Sequence, residues 1–162
     1  MHDMGLVSIR QSAKKLYEDE VHKHKNYLNQ EFDVDKPNEV WVSDVTYFKF
    51  NENTYDICVI INLFSRMVAG YKISKTNITR LVKSTLQIAY KARQPDPNLI
   101  FHTGRGGNYR SKTMNVYIRS HNITHSFSRS HVPYDNSVME SFFIYETWGT
   151  ISDEVPFRSR LS

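Results

Sequence analysis

Asp44 stands inside a β-branched and aromatic run, Val40-Trp41-Val42-Ser43-Asp44-Val45-Thr46-Tyr47-Phe48. Carboxylates are depleted in strands, and a buried one needs a partner or a metal. Glu140 sits in Tyr134-Asp135-Asn136-Ser137-Val138-Met139-Glu140-Ser141-Phe142-Phe143. With Asn136 as a cap, it falls in the second turn of a helix among apolar neighbours. Between them lies His102-Thr103-Gly104-Arg105-Gly106-Gly107-Asn108-Tyr109. There a short apolar strand runs into a glycine loop, and open α/β sheets place their sites at such carboxyl ends. The loop lacks the Gly-Lys-Ser/Thr of a nucleotide-phosphate loop. Each segment also has a plain reading: an edge Asp in solvent, a Glu favoured by its helix dipole, and a tight turn.

The elements that must position these residues follow from patterning. Val40 to Phe48, Tyr55 to Phe64 and Met67 to Ile73 read as three closely spaced strands, hence antiparallel, with a turn at Asn51-Glu52-Asn53. Leu81, Val82, Leu86, Ile88, Ala89 and Tyr90 recur at helical spacing, with Thr79 as a candidate cap and Gln94-Pro95-Asp96-Pro97 as the stop. A strand at Leu99–His102, a helix over about 111–122, a strand over 123–128 and a last helix from Asn136 to about Trp148 complete the series. The order β-β-β-α-β-α-β-α predicts an α/β fold. It is a ribonuclease-H-like mixed sheet flanked by helices.

Composition narrows the function. Net charge is +4 over 162 residues, and residues 37–140 hold 13 Lys and Arg against 7 Asp and Glu. A basic, aromatic-rich core suits a phosphate-rich partner. Cys58 is the single cysteine, which excludes an internal disulfide and a cysteine metal cluster and points to a reducing, cytoplasmic setting. Cys58 itself reads as a small buried hydrophobe. No apolar run approaches the roughly 20 residues that cross a bilayer. His22 and His24 are two apart and share no helix face, so they read as part of a solvated stretch. Tyr109, Arg105, Arg110 and Lys112 read either as contacts to a nucleic-acid backbone or as an ordinary solvated loop. His102 reads either as a site contact or as a hydrogen-bonded core residue.

Four blocks, Trp41 to Tyr47, Leu63-Phe64-Ser65-Arg66, His102 to Tyr109 and Tyr134 to Phe143, together resemble the integrase-type catalytic core of insertion-sequence transposases, close to the IS3 group. The resemblance covers about residues 37–143. It implies that Asp44 and Glu140 are the first and last acidic ligands of divalent cations, Mg²⁺ or Mn²⁺, which drive phosphoryl transfer on DNA during transposition, integration and recombination. It implies no small-molecule cofactor. The family pattern His-Ser/Thr-Asp-Arg-Gly is broken here, because Gly104 occupies the middle Asp position. The register is intact, with 35 residues between Gly104 and Glu140. Asp135 and Asp96 are the nearest substitute carboxylates in sequence. Asn62 also stands where relatives often carry Asp.

The expected organisation is a partly helical linker remnant over 1–36, the catalytic core over 37–148 and a divergent tail over 149–162. Relatives have helix-turn-helix modules ahead of this core and further helices behind it, so the chain reads as a truncated and catalytically impaired transposase core. Two other readings stay open. One is a non-enzymatic fragment that binds nucleic acid, or joins full-length transposase or itself and inhibits. The other is the product of a decayed element.

Overall fold

The computed structural model describes residues 24–76, 78–130 and 132–149, without the side chains of 133 and 145–149. The stretch 8–23, including His22, and the tail 150–162 lie outside the described residues.

Five strands form one sheet in the order β3-β2-β1-β4-β5. They are β1 (Val40–Phe50), β2 (Asn53–Asn62), β3 (Met67–Ser74), β4 (Ile100–Thr103) and β5 (Thr124–Phe127). The first three are antiparallel neighbours, and β4 and β5 join parallel to β1 and to each other. The helices are α1 (Ile78–Arg93), α2 (Lys112–Ser120) and α3 (Ser137–Gly149), with a 3-10 turn at Pro133–Asn136 ahead of α3. The ribonuclease-H-like layout expected from the sequence is therefore present.

Several boundaries differ from expectation. The first hairpin is longer: Phe50 pairs with Asn53, leaving a two-residue loop of Asn51 and Glu52. Both loop residues have positive φ, 45° and 64°. That backbone matches the right-handed twist of a hairpin. Thr79 lies inside α1 rather than capping it, and its hydroxyl donates to Asn108 Oδ1 at 3.4 Å. Ser111 caps α2, accepting from the Met114 amide at 3.3 Å.

Strand alternation divides the core in two. Trp41, Cys58, Ile60 and Phe101 face α1 and α2, meeting Leu81, Val82, Leu86, Met114 and Ile118. Val40, Val42, Val59 and Ile61 face the other way, toward Met139 of α3 and Leu28. Residues 24–34, read from the sequence as the end of a linker, thus pack on the sheet. The Phe127 amide donates to the Lys25 carbonyl at 2.9 Å, and Leu28 is buried. On the α1 face, β3 passes so close to the helix that a Cβ on Gly70 would stand 2.8 Å from Ala89 Cβ.

Candidate catalytic site

Asp44 and residue 104 are brought together by register. Val40, Trp41, Val42 and Ser43 pair in order with Ile100, Phe101, His102 and Thr103. Asp44 and Gly104 are the residues that directly follow the last of these pairs, Ser43 and Thr103. Even-numbered positions of β1 face α3, as Val40 and Val42 do, so Asp44 faces α3 as well. Glu140 lies in the first turn of that helix, next to fully buried Met139. The turn is not the one expected. Asn136 belongs to the 3-10 segment, and its Oδ1 is buried without a hydrogen bond among the described residues, so it caps nothing.

The electrostatics agree with this proximity. Asp44 is half-buried, and the Val45 amide donates to its Oδ1 at 2.9 Å. Burial pushes its carboxyl above the ordinary range; the Val45 amide opposes this, and the charge of Glu140 adds to the rise. Glu140 itself is exposed. Two carboxylates in each other's field can share one cation, and a hard divalent ion needs only one or two protein carboxylates when water and phosphate supply the rest. Gly104 adds no oxygen. Its φ is not positive, and a Cβ there would meet nothing within 4 Å. Among the described residues no three His, Cys, Asp or Glu side chains group as a metal cage. The carboxylates of Asp44 and Glu140 are of the hard-oxygen kind that a divalent cation takes, and the side chain at position 104 adds no further ligand.

Neither substitute carboxylate can supply that ligand. Asp135 is 1% exposed. It accepts from Asn26 Nδ2 at 2.8 Å, Gln30 Nε2 at 2.8 Å, and the Arg129 amide, Nε and Nη2 at 2.7, 3.0 and 3.0 Å. The Arg129 guanidinium foremost holds its carboxyl far below the usual range, against the cost of burial. Asp96 is exposed in the segment before β4, at the end of that strand opposite to Gly104. Asn62 pairs with Trp41, also away from Asp44. Its Nδ2 donates to Asn38 Oδ1 at 3.1 Å and its Oδ1 accepts from the Phe64 amide at 3.3 Å, a structural post.

His102 is a core residue rather than a site contact. It is fully buried, with Nε2 2.8 Å from the Asp135 carbonyl and 3.1 Å from Ser128 Oγ, and Nδ1 2.9 Å from Ser126 Oγ. A carbonyl only accepts, so Nε2 carries the proton and Nδ1 accepts from Ser126. Ser126 Oγ in turn accepts the Tyr27 and Leu28 amides at 2.9 and 3.2 Å. Burial pushes the His102 pKa down, against the pull of Asp135. This chain of bonds joins the 24–34 segment, two strands and the turn that launches α3. Its sequence signal is thin: His102 and Ser126 are merely polar residues in short strands, and Ser128 follows β5.

Tyr109 requires a correction. It is not at the surface but 4% exposed in the α1 and α2 core, its hydroxyl 3.0 Å from Ser43 Oγ and 3.9 Å from Cys58 Sγ. A ring so enclosed cannot meet a phosphate. Cys58 is buried as expected, though it joins this polar cluster at 3.6 Å from Ser43 Oγ. Arg105 is half-buried and serves as a loop strut, donating from Nε to the Ser128 carbonyl at 2.7 Å and from Nη1 to Ser130 Oγ at 3.1 Å. Arg110 and Lys112 are exposed where the loop enters α2.

A five-stranded mixed sheet with helices packed on both faces is the architecture of an integrase-type core. Residues 34–133 match the integrase core domain family, and the chain belongs to that family. It is 37% identical over 119 residues to the transposase InsF for insertion sequence IS3A of Escherichia coli strain K12, covering 74% of this chain and 41% of that protein. It is 37% identical over 118 residues to the transposase for insertion sequence element IS904 of Lactococcus lactis, covering 73% and 47%. The chain thus spans less than half the length of these relatives. Among solved structures, a simian T-cell lymphotropic virus intasome with a PP2A regulatory subunit aligns at TM-score 0.62 and 21% identity, covering 77% of this chain and 46% of that one. The HTLV-2 integrase catalytic core domain in complex with magnesium aligns at 0.56 and 19%, covering 77% and 81%. These two likenesses show the fold. Among the described residues no helix is long and apolar enough to cross a membrane.

Proposed function

We propose that this chain is a transposase catalytic core that acts on DNA by cation-assisted phosphoryl transfer, and that this copy is impaired. The carrying observation is that Asp44 and Gly104 directly follow the last paired residues of β1 and β4, Ser43 and Thr103, and that the charge of Glu140 reaches Asp44. Asp44 and Glu140 would hold a Mg²⁺ or Mn²⁺ ion. When bound, the ion supplies activation of the attacking oxygen and charge neutralisation on the phosphate. Arg110 and Lys112 would meet the DNA backbone, which positions the strand without reading its sequence. Asp44, with its raised pKa, takes up a proton sooner on acidification than an ordinary carboxylate, so cation binding and strand nicking fall off as pH drops.

The missing carboxylate removes the ligand that would complete the site. If it carries several kcal/mol of transition-state stabilisation, its loss lowers the rate by roughly 10²- to 10⁴-fold. The test is nicking of a duplex carrying the element end, with Mg²⁺ or Mn²⁺, by the wild-type chain and by Gly104→Asp. A gain of at least tenfold in the variant is expected. Equal and robust activity in both proteins would refute impairment, and cleavage that persists in Asp44→Asn would refute the site.

The incomplete acidic set also supports a second reading, a non-enzymatic fragment that binds DNA or associates with itself or with full-length transposase. Salt-dependent DNA binding, with no metal-dependent cleavage in either protein, favours it. Absence of both binding and association rejects it.

A further inference from the structure

A second basic feature lies on the other face of the sheet. Lys72, Ser74, Thr76, Arg80, Leu81 and Ser84 line a cleft of about 350 Å³ where β3 gives way to α1. Among the described residues, its lining holds two cations, three hydroxyl residues and no carboxylate. The first turn of α1 carries no acidic residue either. Asp56 pairs with Ser74 across the β2–β3 ladder but is not part of the lining.

Its position relates it to Asp44. Both β1 and β3 are antiparallel to β2, so they run the same way and end at the same side of the sheet. Cys58 pairs with both Val45 and Lys72, which places Lys72 one residue beyond the level of Asp44 and two strands away. Neighbouring strands lie about 4.8 Å apart, so the lateral offset is roughly 10 Å. Thr79, in the first turn of α1, hydrogen-bonds Asn108 of the loop that follows Gly104. The cleft lies on the α1 face and Asp44 on the α3 face, close to the same level of the sheet, and the Thr79–Asn108 bond ties the start of α1 to the loop that follows Gly104.

We propose that this cleft is a phosphate subsite for DNA, with Lys72 and Arg80 holding a backbone phosphate of the duplex whose scissile strand reaches Asp44. The proposal rests on the DNA-acting reading above and adds a site remote from the carboxylates. Lys and Arg supply the charge, and the Thr76 hydroxyl can donate to a phosphate oxygen, while the Ser74 and Ser84 hydroxyls donate to the Thr76 and Arg80 carbonyls at 2.6 and 2.8 Å and shape the cleft wall. Such a contact positions the duplex and carries no sequence information.

The test is duplex binding without metal across a salt series, for wild type, Lys72→Gln/Arg80→Gln, and a charge-matched control, Lys91→Gln/Arg119→Gln, in the last turns of α1 and α2. Two lost phosphate contacts should make the slope of log K against log salt shallower by about 1.8, and weaken binding roughly 10- to 100-fold near 0.1 M salt. The control should change less. Wild-type binding with equal slopes in the cleft variant and the control would overturn the subsite and leave the main reading standing. No duplex binding by wild type would overturn both. Inorganic phosphate titrated against the amide signals of residues 72–84 separates the sources. Saturable binding of free phosphate, with duplex binding indifferent to the double substitution, overturns the backbone assignment.

Discussion

The His102 ring donates from Nε2 to the Asp135 carbonyl at 2.8 Å, tying the middle of β4 to the turn that starts the Glu140 helix. The two residues are 33 apart in sequence. Through this bond, the strand that carries residue 104 and the helix that carries residue 140 hold a fixed relation. Asp135 completes the tie with its carboxylate, which gathers Asn26, Gln30 and Arg129.

Replacing His102 by Ala should therefore cost about 2–4 kcal/mol, because it leaves a cavity and strands buried acceptors and donors at Asp135 and Ser126. Urea unfolding of wild type and variant measures it. His102→Gln, which can still donate to the carbonyl, should recover part of the loss. A His102→Ala variant within 0.5 kcal/mol of wild type would show that the tie carries no weight.

Acid should unfold the protein from the histidines first. Burial lowers the His102 pKa, and it lowers that of His125 to about 3, with the charges of His102 and His24 adding. Both groups bind protons more readily in the unfolded chain, whose histidines titrate near 6.5. Their contribution is thus fully present above about pH 6.5 and is lost as pH falls toward the folded values. Asp135, with its depressed pKa, contributes stability above the unfolded carboxylate range near 3.9 and loses it below that range. Each titrating group adds a slope of about 1.4 kcal/mol per pH unit. Urea midpoints at pH 7, 5.5 and 4.5 should fall steadily, and His125→Phe should flatten the slope by about one proton. A flat profile between pH 7 and 4.5 would contradict the burial of both rings.

The strands were legible because Val40 to Phe48 and Tyr55 to Phe64 are dense in β-branched and aromatic residues, and α1 because its apolar spacing is regular. The assignment of Gly104 to the middle acidic position rested on the family pattern and the spacing to Glu140. The structure adds that even positions of β1 face α3. What escaped was non-local. Nothing near Tyr109 says whether its ring points in or out; it is buried, and its hydroxyl meets Ser43 Oγ, 66 residues away, at 3.0 Å. Asn136 looked like a cap because Asn commonly is one, yet the 3-10 turn before Ser137 takes that place. Leu28 and Gln30 sit in a polar stretch and find their partners only once β2 and Asp135 are in place.

Gly70 should tolerate no side chain while Ala89 stays. The added Cβ would stand 2.8 Å from Ala89 Cβ and 3.1 Å from its Cα. Gly70→Ala should cost about 1–3 kcal/mol through overpacking. Ala89→Gly removes the opposing methyl but loses about 1 kcal/mol of helix propensity. Combined, the two substitutions should cost less than their sum, a coupling that thermal melts of the four proteins would show. Strict additivity would place the two groups apart.

Gly104→Asp has open space and an ordinary backbone, so its cost without metal should stay within about 1 kcal/mol, set by repulsion from Asp44 and Glu140. With Mn²⁺ the sign should reverse. A ligand that binds only the folded state stabilises it by about 2.7 kcal/mol at a hundred times its dissociation constant. Thermal shift with rising Mn²⁺ should be larger for the variant than for wild type, and absent in Asp44→Asn/Gly104→Asp. Equal shifts in all three proteins would place the ion elsewhere.

Tyr109→Phe separates the core role of this residue from a surface one. Burial pushes the phenol far above its usual pKa, so it stays neutral, and its hydroxyl serves Ser43 rather than a ligand. Loss of that bond should cost about 1 kcal/mol, because Ser43 retains Cys58 within reach. Duplex binding should be unchanged. Arg110→Gln and Lys112→Gln should do the reverse, leaving unfolding midpoints nearly fixed while each makes the salt slope of DNA binding shallower by about 0.9. A Tyr109→Phe variant that loses DNA affinity at full stability would return the hydroxyl to the interface, and would mean that the loop after Gly104 opens on binding.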